Sequence, residues 1–374
     1  GTEIQTQYKR IMHIPGGKMA VETGKKWLIT GGCGFIGRNL IKGLLDQGGH
    51  FIRVVDNLKV GSRKDLSMVC NWQEISPQDL NSPVNTSDRV ELLVADILDD
   101  KLAFAASKGF DVIVHLAANT GVGPSVEDPR MDCEVNVTGT FNYLEAARQN
   151  NTKRFVFASS GAPAGEVTPP IHEELPCHPV SPYGASKLAG EGYCSAYFQT
   201  FGVETVCLRF GNVYGPYSGK KDSVIAKFIK QALAGKPVEI YGDGSQTRDF
   251  IHVTDLVDAI YKAATYPSNL TSNLSSPTSD NPSLTSNIGG ETFQIATSRE
   301  HTVNEVADLL KTQLKTQCGI DMEITYGQPR KGDVQRNFSD TTKAQQVLGW
   351  KSEINLIQGL EGIVNWFSKR DLKS

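Results

Sequence analysis

Trp27-Leu28-Ile29-Thr30-Gly31-Gly32-Cys33-Gly34-Phe35-Ile36-Gly37 is the stretch on which the fold turns. Its first four residues form an apolar run of strand length. After the glycines an apolar helical spacing runs through Leu40, Ile41, Leu44 and Leu45 and stops at Gly48-Gly49. A second strand runs from Phe51 to Val55 and ends in Asp56. This is a βαβ unit in which each glycine has a task. Gly31 permits a tight turn, Gly34 lets the backbone approach a diphosphate, and Gly37 lets helix and strand pack closely. The phosphates then meet a helix N-terminus, where free N–H groups and the helix dipole favour anions. Asp56, nineteen residues after Gly37, is placed to accept hydrogen bonds from an adenosine ribose. A carboxylate there repels a 2′-phosphate, so NAD is expected over NADP. Arg63, close by in sequence, keeps the second cofactor open.

Working outward, strands and helices keep alternating. Val90–Val94 is strand-like and ends at Ala95-Asp96-Ile97. There the chain either meets an adenine ring or uses Asp96 to cap the next helix. Asp111–His115 is the next strand, followed by Leu116-Ala117-Ala118, whose small residues let the backbone pass close to a cofactor. His115 reads as a core histidine. Glu134–Gln149 has helical apolar spacing, and Arg154–Ala158 is a strand carrying Ser159-Ser160 at its C-terminal end. Glu204–Leu208 is a further strand. This alternation predicts a parallel, doubly wound sheet, with its ligand crevice at the carboxyl edge of the strands.

Ser181-Pro182-Tyr183-Gly184-Ala185-Ser186-Lys187 supplies the candidate chemistry. Tyr183 and Lys187 stand four apart, one turn apart on one helix face. A free tyrosine titrates near 10 and is a poor base at neutral pH. A nearby ammonium, or the positive ring of an oxidised nicotinamide, favours the phenolate. The pair is thus a candidate base for a sugar hydroxyl, with Ser160 bonding the same hydroxyl. The bland alternative is an exposed helix face and a surface serine.

The second half reads differently. Ser223–Leu233 is a helix and Val238–Tyr241 a strand. Gly242-Asp243-Gly244-Ser245 is a turn, and Arg248 to His252 lead to a helix capped by Thr254 or Asp255. Residues 267–290, rich in Ser, Asn, Thr and Pro, read as a mobile surface insertion. Glu291–Ala296 is a strand. Helices follow over Val303–Leu314, Thr341–Leu348 and Ile357–Phe367. The expected organisation is a polar arm over 1–25 and a dinucleotide-binding domain over 26–208, with part of 250–266 packing back on it. A smaller, mostly C-terminal α/β domain covers 209–374.

Composition narrows the function. The chain has 374 residues and a net charge of −3, which leaves no electrostatic footprint for nucleic acid. No apolar run reaches the roughly 18 residues of a membrane span, and the polar opening residues hold no hydrophobic signal core. Seven scattered cysteines without a Cys-x-x-Cys pair fit reduced thiols in a cytoplasmic protein. His172, Cys177 and His178 match no metal-ligand spacing, and no metal is expected.

Together these motifs resemble the extended short-chain dehydrogenases that modify nucleotide sugars, the group of the UDP-glucose and UDP-N-acetylglucosamine 4-epimerases. The resemblance runs from Lys26 to Lys369. It rests on the glycine turn, Asp56-Asn57, His115-Leu116-Ala117-Ala118, Asn136 to Thr140, Ser159-Ser160, Tyr183/Lys187, Asn212 to Pro216, Gly242 through Asp249, and Arg330 with Asp333. It implies a Rossmann-type α/β fold and a homodimer built on the helices at 134–149 and 183–200. Ser160, Tyr183 and Lys187 become the catalytic set. Gly31, Gly34, Phe35, Ile36, Gly37, Asp56, Asn57, Asp96, Ile97, Leu116, Ala117, Ala118, Asn136, Tyr183 and Lys187 become the NAD contacts. Ser160, Asn212, Arg248, Arg330, Asp333 and Asn337 become the nucleotide-sugar contacts, the two arginines gripping the diphosphate.

The departures from the family pattern are informative. After Ser160 stand Gly161 and Ala162, where sugar dehydratases carry an acid pair and the decarboxylases a glutamate; both chemistries are disfavoured. Pro163-Ala164 replaces a more usual Val-Tyr, so the pocket is expected to be reshaped. Asn337 stands where a tyrosine narrows the sugar pocket, leaving room for an N-acetyl group. The expectation is NAD-dependent C4 epimerisation of a UDP-hexose or UDP-N-acetylhexosamine, feeding surface polysaccharide or lipopolysaccharide. A 4-keto-sugar reductase, a UDP-uronate epimerase, a C2 epimerase and a silent NAD-binding sensor are the alternatives.

Overall fold

The computed structural model describes residues 24–81, 90–221, 223–267, 288–329 and 334–371. Residues 1–23, the body of the 267–290 segment, Arg330 and Asp333 lie outside the described residues. The strands are β1 (Lys26–Thr30), β2 (Phe51–Asp56), β3 (Gln73–Ile75), β4 (Val90–Val94), β5 (Val112–His115), β6 (Arg154–Ser160), β7 (Thr205–Phe210), β8 (Asn212–Tyr214), β9 (Val238–Tyr241), β10 (Thr247–Arg248), β11 (Phe250–His252), β12 (Glu291–Ile295), β13 (His301–Thr302) and β14 (Ile324–Gly327). The helices are α1 (Phe35–Gln47), α2 (Arg63–Leu66), α3 (Asp100–Ser107), α4 (Val122–Glu127), α5 (Pro129–Cys133), α6 (Gly139–Gln149), α7 (Pro182–Phe201), α8 (Val224–Leu233), α9 (Val253–Thr265), α10 (Val303–Cys318), α11 (Thr342–Leu348) and α12 (Leu356–Asp371).

Eight strands form one parallel sheet in the order β12-β7-β6-β5-β1-β2-β4-β3. Successive strands run outward from β1 in one direction and from β5 in the other, so the switch point lies between β1 and β5. The strands are apolar because helices cover both faces: Leu28, Ile29, Val54, Leu92 and Ile113 are fully buried. Helix α1 points Leu40, Ile41 and Leu44 into this core and ends at Gly48, whose φ of 81° suits glycine. Trp27 stacks on Tyr261 of α9 at 6.1 Å.

A second core gathers Phe228 and Ile229 of α8, Ile240 of β9, Leu310 of α10 and Leu360 and Phe367 of α12. Helix α10 starts in a reciprocal capping box between Thr302 and Glu305 and ends at Gly319 in the left-handed region. Three two-stranded sheets join this half: β8 with β11, β9 with β14, and β10 with β13. Among the described residues no helix is long and apolar enough to cross a membrane.

The structure departs from the sequence reading in several places. The large sheet gains an eighth strand, β12, from within the stretch expected to form the second domain. Ala344, Leu348 and Trp350 also join the first core. Helix α9 is capped by His252, whose ring accepts the Thr254 N–H, rather than by Thr254 or Asp255. Burial holds that imidazole at about 4, neutral and free to accept. The helix read over 134–149 begins earlier, at α5, and passes through a π-helical turn, Glu134–Thr138, into α6. Strand β7 runs to Phe210, so Arg209 lies within it.

Asp255 ties α9 to the chain before α12. Its carboxylate accepts the Glu353 and Ile354 N–H groups at 3.1 and 3.0 Å, and its carbonyl accepts the Trp350 indole at 2.9 Å. Burial raises its pKa to about 7, with the two N–H groups opposing. Between pH ~4, the unfolded value, and about 7 the native state therefore binds a proton that the unfolded chain does not. This group's contribution to stability is greatest at low pH, falls as pH rises through that window, and is level above it. Asp255→Asn should flatten the fall of melting temperature between pH 4 and 7. A variant curve parallel to the wild type would remove Asp255 as the titrating group.

Candidate active site

The candidate residues converge at the carboxyl edge of the large sheet. Gly31, with φ 69°, turns the chain out of β1, and a Cβ there would meet Ala117 N at 2.9 Å. The turns after β1 and β5 thus touch at the switch point, and Thr30 Oγ1 accepts the Ala117 N–H at 3.1 Å. Gly34 sits in extended conformation at the N-cap of α1, and no side chain caps the helix. The N–H groups of that first turn have no intrahelical partner and stand ready for an anion. Gly37 lies against the turn, where a Cβ would come within 2.5 Å of Gly32 Cα.

Asp56 ends β2 beside this turn. Its carboxylate accepts the Cys33 and Leu58 N–H groups at 2.9 Å each, and burial raises its pKa against those two bonds. Asn57 donates to Asp96 at 2.9 Å, which brings the ends of β2 and β4 together. Asp96 also accepts the Leu98 N–H. The next helix, α3, is capped instead by Asp99. Arg63 is held in a fork by Glu74, both distances 2.7 Å, which leaves the surroundings of Asp56 carboxylate in character. An uncapped helix, a glycine turn without room for side chains and a ribose-facing acid fit a dinucleotide with an unphosphorylated ribose.

Ile97 lies buried behind Gly139, and Leu116 and Ala118 follow β5 half-buried. His115 is a core residue: it bonds Thr30 and Thr140 at 3.0 and 3.2 Å, and burial lowers it to about 3. Asn136, within the π-helical turn, is fully used by protein groups. It bonds both the N–H and the carbonyl of Asn119, the Asp132 carboxylate and the Ser186 hydroxyl. It therefore fixes the loop after β5 against α7.

Ser160, Tyr183 and Lys187 do come together. Ser181 caps α7 by accepting the Gly184 N–H, and Pro182 opens it. Tyr183 lies close enough to Ser160 for that hydroxyl to favour its phenolate. Lys187 is buried, with Nζ 5.9 Å from the centre of the Tyr183 ring and donating to Ala158 O at 2.8 Å. Burial lowers Lys187 to about 8, opposed by Asp132 and Glu191, so it stays mostly cationic at neutral pH. Burial raises the pKa of Tyr183, Asp132 adds to the rise, and the Ser160 hydroxyl opposes it.

The proposed sugar-nucleotide residues border this edge. Asn212 opens β8 with its side-chain amide 3.3 Å from Asp249 O. Arg248 donates to the carbonyls of Thr247 and Val334 at 2.7 and 2.6 Å, beside the segment that carries half-buried Asn337. A residue that sequence reasoning passed over organises this wall. Asp249, almost fully buried, accepts from Thr297 N and Oγ1 and from Ser339 N. Ile171, on the loop after Ser160, pairs with Ser339, which ties that loop to the segment carrying Asn337. The only sequence signal was an acid directly after Arg248.

Two cavities lie away from Tyr183. One of about 460 Å³ sits at the amino edge of the sheet, between Lys25, Lys153 and Tyr266. The other, about 720 Å³, opens in the second half between Tyr241, Gln246, Tyr326 and Gln335.

Comparison with known proteins agrees with this geometry. A family described as the NAD dependent epimerase/dehydratase family matches residues 27–275. The chain is 35% identical to a putative UDP-glucose 4-epimerase of Methanocaldococcus jannaschii, over 92% of this chain and 99% of that one. The structure of Thermus thermophilus UDP-glucose 4-epimerase in complex with NAD is similar, with TM-score 0.74 and 31% identity over 92% and 99% of the two chains. So is UDP-N-acetylglucosamine 4-epimerase from Methanobrevibacter ruminantium in complex with UDP-N-acetylmuramic acid, with TM-score 0.77 and 27% identity over 93% and 100%. The chain belongs to the NAD dependent epimerase/dehydratase family, within the extended short-chain dehydrogenases, as an NAD-dependent enzyme whose relatives are UDP-sugar 4-epimerases.

Proposed function

We propose that this enzyme interconverts the C4 epimers of a UDP-hexose or UDP-N-acetylhexosamine through a 4-keto sugar. The observation that carries the reading is the Ser160–Tyr183–Lys187 cluster at the carboxyl edge of the sheet, with Gly161 and Ala162 rather than an acid pair directly after Ser160. Gly161 faces open space and Ala162 begins a short 3-10 turn, so nothing there would drive loss of water or carbon dioxide. Tyr183 takes the proton of the 4-hydroxyl and returns it. Ser160 bonds the reacting oxygen and orients it. Lys187 stays an ammonium beneath the ring and favours the phenolate when the proton leaves. Bound NAD would supply a reversible hydride acceptor at C4, so no cofactor would be consumed. Gly31, Gly34, Phe35, Ile36, Gly37, Asp56 and Asn57 would hold it.

Arg248 and Asn212 are proposed to grip the diphosphate side of the substrate, with Arg330 and Asp333 completing the set. The 720 Å³ cleft suits the nucleoside, since Tyr241 and Tyr326 line it and Thr247, next to Arg248, bonds Gln335 on its rim. A homodimer belongs to the same reading. Phe141 of α6 and Tyr193, Tyr197 and Phe201 of α7 form an edge-to-face aromatic row, with Phe201 52% exposed. Sedimentation showing a monomer at micromolar concentration would remove the dimer. The seven free cysteines fit a reducing, cytoplasmic setting, a placement that cell fractionation checks. Supply of surface polysaccharide is the pathway proposed.

The test is to incubate the purified chain with a panel of UDP-sugars, without added reductant, and follow the anomeric signals by NMR. A C4 epimer growing to equilibrium with no net change in reduced cofactor is expected. Conversion that runs only with stoichiometric NAD(P)H would make the enzyme a net reductase. On the same panel, Asn337→Tyr should slow N-acetylated sugars more than plain hexoses. An equal loss on both would remove Asn337 as the size-limiting residue.

A further inference from the structure

The last three residues of β6 each face a different turn of α7. Tyr183 lies by Ser160, whose hydroxyl favours its phenolate. One turn later Lys187 bonds the Ala158 carbonyl at 2.8 Å. One turn further, the Glu191 carboxylate accepts the Ser159 hydroxyl at 2.5 Å. The spacing of four puts all three side chains on one face of the helix. Glu191 is buried, and Arg209, paired in register with Ser159 on the neighbouring strand β7, closes a fork on it. Arg209 Nε lies 2.8 Å from Oε1 and Nη2 lies 2.7 Å from Oε2.

We propose that Glu191, clamped by Arg209, is a positioning residue for the reaction: it locks the helix turn that carries Lys187 onto the strand end that carries Ser160. Glu191 touches no reacting atom. The inference rests on the proposed 4-epimerase reading and deepens it.

Stability alone does not account for the arrangement. A buried ion pair contributes little beyond what well-packed apolar side chains of the same volume would give. What the carboxylate adds is direction, since its two oxygens fix Ser159 and Arg209 at once. It also adds charge one turn from Lys187. The groups facing that ammonium are Asp132 of α5, Tyr183, Glu191 and Cys194 of its own helix, Cys207 of β7 and His115 of β5, with Arg209 of β7 behind Glu191. His115 is neutral at working pH. Asp132 and Glu191 are thus the carboxylates that favour the ammonium against burial. With Glu191 made neutral, the Arg209 guanidinium is left unbalanced nearby, and both changes push Lys187 towards losing its proton.

The experiment measures kcat and KM across pH for the wild-type holoenzyme, Glu191→Gln and Glu191→Asp, with NAD binding followed by calorimetry. For Glu191→Gln, kcat should fall roughly 10–100-fold with KM and NAD binding nearly unchanged. The alkaline limb of the kcat profile should move to lower pH. Glu191→Asp keeps the charge but withdraws the carboxylate, so kcat should fall while the limb stays in place. Wild-type kcat in Glu191→Gln, or a uniform loss with the limb unmoved, overturns the proposal. If Glu191→Gln does not fold, the Glu191→Gln/Arg209→Met pair replaces it, having no stranded charge, and should still lose kcat. Wild-type kcat in that pair, or failure of both proteins to fold, also overturns it. A wild-type chain without turnover on any UDP-sugar would remove the reaction reading itself; a normal variant beside an active wild type removes only this proposal.

Discussion

Tyr183→Phe should abolish turnover while NAD still binds. The substitution removes one hydroxyl and leaves the ring, so the packing of α7 on β6 survives. Lys187 keeps its bond to the Ala158 carbonyl, and Ser160 keeps its bond to the Ala162 N–H. Losing a positioned general base lowers rates by roughly 10²–10⁴-fold, and no other described group stands ready to replace it, because His115 is enclosed in the core by Thr30 and Thr140. NMR turnover on the preferred sugar reads the first half of the expectation and calorimetry with NAD the second. Weakened NAD binding of the same size as the rate loss would make Tyr183 a structural support of the cofactor site.

Gly37→Ala should damage both NAD binding and stability, against the usual rule for helices. Alanine in a helix interior ordinarily gains about 1 kcal/mol over glycine. Here the added Cβ would lie 2.5 Å from Gly32 Cα and 2.7 Å from the carbonyl oxygens of Gly31 and Gly32. All three are backbone atoms of the phosphate-binding turn, so α1 must move off β1. Overpacking costs roughly 1–3 kcal/mol, which exceeds the propensity gain. The displaced helix end also loses its aim at the diphosphate. Gly362→Ala in α12 is the control, since nothing lies within 4 Å of its would-be Cβ, and it should hold or raise the melting temperature. Equal melting temperatures and NAD affinities for Gly37→Ala and the wild type would show that the turn yields without loss.

Much of this fold was legible because the sheet is parallel and buried on both faces. Such strands appear as short apolar runs with abrupt ends, and Val90–Val94 and Val238–Tyr241 match their predicted limits residue for residue. The glycine turn was legible because three backbone constraints forced three glycines. What stayed hidden depends on distance rather than on local pattern. Nothing in Glu291–Ile295 announces that it adds to β7 instead of joining the second core. The capping role of His252 requires a neutral ring, which only burial provides. The bonds of the Asn136 amide to Asn119, Asp132 and Ser186 are likewise unannounced. Glu191, Arg209 and Asp249 looked like any charged residues on a helix or strand end, because a sequence does not tell a buried carboxylate from a solvated one. The Tyr183–Lys187 spacing announced that the two share a helix face, but not the burial that raises the pKa of Tyr183.

The return of β12 to the large sheet bears on how such a chain can be divided. The cofactor half draws on residues after 288 for its edge strand and on Trp350 for its packing, while the substrate half is assembled from stretches on either side of them. Neither half is contiguous, so no single cut yields one as a complete piece. Exchanging substrate preference between relatives by splicing a C-terminal block would therefore carry off part of the cofactor scaffold. Transplants that respect this interlacing would have to move separate segments together: the stretch around 212–250, the one around 296–340 and helix α12, leaving Glu291–Ile295 and Trp350 where they are.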